Sequence, residues 1–134
     1  MTRKPEASEH QIQSAFADWC RMSEARYPAL KLAFAVPNGS YRHIATAVRA
    51  KREGQRAGVP DWILPVPRLD SITERTKVGI LSRDSGLAIE FKRPGGRLTK
   101  EQKAWISLAR IYGWRCEVCY SAEEAIKVVK EYLS

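Results

Sequence analysis

The sequence predicts an α/β fold with a central mixed β-sheet flanked by α-helices. Three observations carry that expectation. The coarse order of elements is α-β-α-β-(β)-β-α-β-α. Its later part alternates strand with helix, the pattern of a sheet covered by helices on both sides. The 134 residues, 44% hydrophobic, suit one domain with one core and argue against wholesale disorder. Residues 1–134 read as a single domain, without internal repeat, low-complexity segment or linker.

Residues 1 to 7 read as a frayed polar start. Ser8-Glu9-His10-Gln11 fits a capping box, and Ile12, Phe16, Trp19 and Cys20 then follow helical spacing, giving a helix over residues 9 to 24. Tyr27-Pro28 breaks it. Leu32, Phe34 and Val36 alternate with Lys31, Ala33 and Ala35 as in a strand, and Pro37-Asn38-Gly39-Ser40 is a turn signal. Residues 44 to 57 are rich in Ala, Lys, Arg and Glu and predict a second helix, with Gly54 near its end and Gly58 and Pro60 stopping it. Residues 62 to 66 form a short apolar strand with Asp61 at its mouth. Residues 68 to 86 read as an extended loop or hairpin, with a further short strand near 77 to 81.

Residues 87 to 91 predict a strand, and Arg93-Pro94-Gly95-Gly96-Arg97 a tight basic turn. Thr99-Lys100-Glu101-Gln102 is a second capping box. The helix after it carries Trp105, Leu108, Ala109 and Tyr112 on one stripe and ends at Gly113. Trp114, Cys116, Val118 and Tyr120 alternate as a last strand, and Ser121 opens a final helix containing Ala125, Val128, Val129, Tyr132 and Leu133.

The formal net charge of +8 points to a polyanionic partner, most often nucleic acid. The most cationic stretch holds Arg42, Arg49, Lys51, Arg52 and Arg56. It reads as a phosphate-contacting face or as a solvated one. No apolar run approaches the ~20 residues of a membrane span, and there is no signal-peptide core. No membrane partner and a cytoplasmic location are therefore expected. Cys20, Cys116 and Cys119 are too few for a disulfide framework. Cys116 and Cys119 have zinc-knuckle spacing, but residues three apart on a strand face opposite sides, and nothing completes a four-ligand site. Neither His10 nor His43 stands in the context of a metal-linked general base, and Trp62, Trp105 and Trp114 sit at core spacing.

The chemistry concentrates in Asp61, Glu90 and Lys92. Glu90 and Lys92 share a strand face, with Ile89 and Phe91 on the other. A solvated edge strand would carry them as an ion pair. The apolar run Leu87-Ala88-Ile89 instead predicts a buried central strand. If Asp61 lies beside them, two carboxylates from neighbouring strands, with the backbone carbonyl of Phe91, offer oxygens to Mg²⁺ or Mn²⁺. Lys92 then faces the attacking water or the developing charge. Arg93 and Arg97 lie close by in sequence, beside a capped helix, where an anion would be favoured.

These residues resemble a known family. Gly58-Val59-Pro60-Asp61, followed by the run from Ile89-Glu90-Phe91-Lys92-Arg93-Pro94-Gly95-Gly96-Arg97-Leu98 to Gln102, is similar to the virus-type replication-repair nuclease (VRR-NUC) domain. That family belongs to the PD-(D/E)XK superfamily, whose restriction-endonuclease-like signature matches Pro60-Asp61 and Glu90-Phe91-Lys92. Glu9-His10-Gln11-Ile12-Gln13 resembles the family's N-terminal helix motif and Pro37-Asn38-Gly39 its turn. The resemblance spans nearly the whole chain. It implies Asp61 and Glu90 as metal ligands, Lys92 as the catalytic lysine, Gln102 as a supporting helix residue and Glu9 as an additional acid that joins the metal site. It also implies a homodimer acting on branched duplex DNA such as four-way junctions. Gln102 reads equally as the capping partner of Thr99, and the two roles are compatible. The gap between Asp61 and Glu90, lengthened by residues 68 to 86, departs from short family members and weakens the inferences on substrate and dimer. The competing readings are a DNA-binding module that keeps the nuclease fold without catalysis, and a protein-interaction domain with an incidental basic surface.

Overall fold

The computed structural model describes residues 4–37, 44–70 and 81–134. The turn at Asn38 to Ser40, Arg42, His43 and most of the short strand expected near 77 to 81 lie outside the described residues.

Helix α1 spans Glu9–Met22, capped as the sequence predicts: Ser8 Oγ accepts from Gln11 N–H, and the Gln11 side chain accepts from Ser8 N–H. A short 3-10 helix, Pro28–Leu32, stands where the expected strand was to begin. Pro28 suits a first helical turn, and the chain extends only afterwards, as strand β1 at Phe34–Ala35. Helix α2 is Ile44–Arg52, five residues shorter than expected. Gly54 adopts φ +107°, outside the helical region, so the favourable composition beyond Arg52 does not continue the helix. Strand β2, Trp62–Leu64, stops before Pro65, which has no N–H to donate to a ladder.

Strands β3 (Arg68–Asp70) and β4 (Leu81–Asp84) pair antiparallel as a separate two-stranded sheet within the segment expected to be a loop or hairpin. Strand β5 (Gly86–Phe91) follows, then helix α3 (Lys100–Ile111), strand β6 (Trp114–Cys119) and helix α4 (Ala122–Tyr132).

The main sheet runs β1-β2-β5-β6, antiparallel except for the parallel β5–β6 pair. It is therefore mixed. Parallel strands need a crossover, and α3 supplies it. All of β5 is buried. On one face Leu87, Ile89 and Phe91 pack with Trp62 and Leu64 against α1 and α4, through Ile12, Phe16, Ala125, Val129 and Tyr132. Phe16 anchors this layer, with ring centroids 5.0 Å from Trp62, nearly edge-on, and 5.3 Å from Phe91. On the other face Ala88 and Ile63 pack against Ile106 and Trp105 of α3. Cys116 lies in this second cluster and Cys119 in the first, so the sheet separates them. Burial pushes the Cys116 thiol up to about 11 and that of Cys119 to about 12. Thiols on opposite faces of the sheet cannot act together as a zinc pair.

Candidate active site

Register brings the two acids together. Trp62 opposes Ile89 and Ile63 opposes Ala88, so one step further Asp61, just before β2, and Glu90 on β5 share the α3 face. The ladder ends there, and the Asp61 side chain takes over: Phe91 N–H donates to Asp61 Oδ2 at 2.8 Å. The Asp61 carbonyl accepts from Val36 N–H at 2.8 Å and, at the long limit of 3.5 Å, from the Gln13 side chain of α1. Asp61 is thereby tied to β1, to β5 and to α1.

Glu90 and Lys92 are only 2% and 8% exposed. Burial of that degree is expensive for charges unless they are paired. Lys92 Nζ stands 3.4 Å from Glu90 Oε1, and Lys92 N–H donates to the Cys119 carbonyl at 3.0 Å. Gln102 Nε2 donates to the same Glu90 Oε1 at 2.8 Å. The orientation of that amide is set by the capping box: Gln102 Oε1 accepts from Thr99 N–H at 2.8 Å, which leaves the NH₂ group to face Glu90. The Gln102 side chain thus both closes the capping box with Thr99 and donates to Glu90.

Glu90 Oε2 is buried and, among the described residues, has no hydrogen-bond partner. Burial first, and the Asp61 carboxylate second, raise the Glu90 carboxyl to about 7, while Lys92 pulls it the other way. Two ionised carboxylates and one ammonium leave an excess negative charge beside the buried Glu90. Either a proton shared between the acids or a cation between them relieves it. Oxygen donors of this kind suit a hard divalent ion, so the residues present fit Mg²⁺ or Mn²⁺. Asp61 and Glu90 would hold it. The Phe91 peptide, whose N–H contacts Asp61, belongs to the same cluster.

The other candidate residues lie around this centre. Glu9 is the exposed first residue of α1, one turn from Gln13 and on the same helix face. Among the described residues no group of three His, Cys, Asp or Glu side chains is arranged to hold a metal. Arg49, Lys51 and Arg52 are exposed on α2, and Arg93 and Arg97 are exposed in the turn between β5 and α3. Arg42 lies outside the described residues. The contact of Gln13 with Asp61, 48 positions away, was not expected from the sequence.

The comparisons with known proteins agree with this fold. A solved structure of a VRR_NUC domain protein superposes with a TM-score of 0.73, covering 96% of this chain and 89% of its own, at 22% identity. At that identity the likeness establishes the fold. No curated protein matches the chain significantly. No helix among the described residues is long and apolar enough to cross a membrane. The VRR-NUC domain family matches residues 3–123, nearly the whole chain, and brings with it a nuclease-type, DNA-processing function. The chain belongs to the VRR-NUC domain family.

Proposed function

We propose that this chain is an Mg²⁺- or Mn²⁺-dependent DNA endonuclease that hydrolyses phosphodiester bonds, selective for branched duplexes such as four-way junctions. The observation that carries the reading is the half-buried Asp61 beside the buried Glu90, with Lys92 Nζ 3.4 Å from Glu90 Oε1 and, among the described residues, no hydrogen-bond partner for Glu90 Oε2. Asp61 and Glu90 would hold the ion, with the Phe91 carbonyl as a third oxygen and Glu9 as a further acid at the edge of the site. A bound divalent ion lowers the pKa of its water and neutralises the scissile phosphate. Lys92, kept in place by Glu90, orients the attacking water or stabilises charge on the phosphate. Gln102 restrains Glu90, so the carboxylate does not rotate away as the charge changes.

The basic residues Arg42, Arg49, Lys51, Arg52, Arg93 and Arg97 contact the DNA backbone, which makes binding salt-dependent. Paired cuts across a four-way junction suit a two-fold homodimer. A cytoplasmic location goes with that substrate.

The test is nicking of a labelled four-way junction and of linear duplex with Mg²⁺ or Mn²⁺, comparing the parent with Asp61→Ala and Lys92→Ala, alongside the molar mass in solution. The parent is expected to cleave the junction preferentially as a dimer, and both variants to bind without cutting. Cleavage by purified Asp61→Ala would remove the metal-site assignment. Binding without cleavage by the parent would favour the non-catalytic module.

A further inference from the structure

Gly58 was expected to stop the second helix, but α2 ends six residues earlier, at Arg52. Its place in the fold gives it other work. Gly58 adopts φ +85°, a left-handed conformation that residues with a Cβ rarely take. A Cβ built there would lie 2.4 Å from the Glu101 carbonyl oxygen, 2.5 Å from its carbon and 2.9 Å from Gln102 N. The neighbour is therefore the peptide bond between Glu101 and Gln102, in the first turn of α3. Backbone atoms cannot swing aside as a flexible side chain can.

That peptide belongs to the site. Gln102 N–H donates to Thr99 Oγ1 at 3.2 Å, closing the capping box, and the Gln102 side chain holds Glu90 Oε1 at 2.8 Å. On the other side, Gly58 precedes Asp61 by three residues, joined through Val59 and the buried Pro60, whose ring fixes its φ. Gly58 thus touches the helix that restrains one acid while standing on the short segment that delivers the other.

We propose that Gly58 is a positioning residue. By letting the backbone before β2 press directly on the first turn of α3, it sets the spacing between Asp61 and the Gln102–Glu90 pair, and so the metal affinity of the site. The proposal rests on the metal-dependent reading above. Gly58 touches no substrate and acts through Gln102.

The experiment is a double-mutant cycle on Mn²⁺ affinity, measured by calorimetry on Gly58→Ala, Gln102→Ala and the double variant. The Gln102 side-chain amide resonances of the parent and Gly58→Ala are recorded in parallel. Each single variant is expected to bind Mn²⁺ about 10- to 100-fold more weakly, the usual cost of losing a group that supports a ligand. The double variant is expected to be no weaker than the worse single, because both changes remove one coupling. In Gly58→Ala the Gln102 amide resonances should move towards those of a free amide. Parent-like affinity in folded Gly58→Ala, or losses that multiply in the double variant, would overturn the proposal.

If Gly58→Ala does not fold, the parent answers the question. Mg²⁺ should shift the Gly58 backbone amide resonance in the parent and not in Gln102→Ala. A shift that persists in Gln102→Ala, or is absent from the parent, overturns it. A parent that binds no divalent ion at all overturns the nuclease reading itself and the proposal with it.

Discussion

The two faces of β5 are equally buried and chemically opposite. Leu87, Ile89 and Phe91 meet α1 and α4 as an apolar wall, all three fully inaccessible. Ala88 begins the other face as core, but Glu90 and then Lys92 follow it at almost the same depth. The first face is explained by the hydrophobic effect alone. The second carries charges whose burial is costly, and each charge is met by a partner that limits that cost: Lys92 by Glu90, and Glu90 by Gln102. A face that departs from the core pattern and is locally supported is where we propose the chain carries its chemistry.

The contrast makes separable predictions. The largest effect is expected from Lys92→Ala, which should lower the rate of junction cleavage by about 10²–10⁴-fold while leaving DNA binding in place. Single-turnover cleavage and a filter-binding assay read the two quantities. On the opposite face Phe91→Ala should do something different. It should destabilise the fold by about 3–5 kcal/mol, seen as a lower denaturation midpoint, because it empties a packed position against Phe16. Comparable loss of stability in Lys92→Ala would erase the distinction between the faces.

A smaller effect concerns pH. The folded Glu90 carboxyl titrates near 7, above its ordinary value of 4.5. The native state therefore binds this proton more tightly than the unfolded chain. The stability it contributes is complete below about 4.5 and is lost as pH rises through about 7. In EDTA the Tm should fall across that window, divalent ion should restore it, and Glu90→Gln should flatten the dependence. A Tm in EDTA that rises between pH 5 and 7.5 by an amount removed in Glu90→Gln would reverse the assigned direction. The smallest effect is expected at the rim: Arg97→Ala should weaken DNA binding and reduce the salt slope of log K by about 1, as for one lost phosphate contact.

The parts of this molecule that could be read from its sequence are those specified within a few residues. Both capping boxes, Ser8 to Gln11 and Thr99 to Gln102, are four-residue signals, and both form as read. The alternation through Ile89-Glu90-Phe91-Lys92 sets the faces of β5 directly. The misreadings came where a local signal competed with another. Pro28 started a 3-10 helix in place of strand, and Gly54 ended α2 inside a favourable composition. The contacts of Gln13 with Asp61 and of Gly58 with α3 join residues 48 and more than 40 positions apart, and no local pattern encodes them. The approach of Asp61 to Glu90 was likewise only an expectation until the antiparallel register of β2 and β5 supplied it.

We propose that Asp61 and Glu90 together take up either a divalent cation or a proton. Calorimetric titration of Mn²⁺ near pH 6.5, repeated in buffers of different ionisation enthalpy, tests it most directly. The account predicts binding by the parent with net proton release that fades by pH 8, and loss of that binding in both Asp61→Ala and Glu90→Gln. Undiminished Mn²⁺ binding by either variant, or none by the parent, would contradict it.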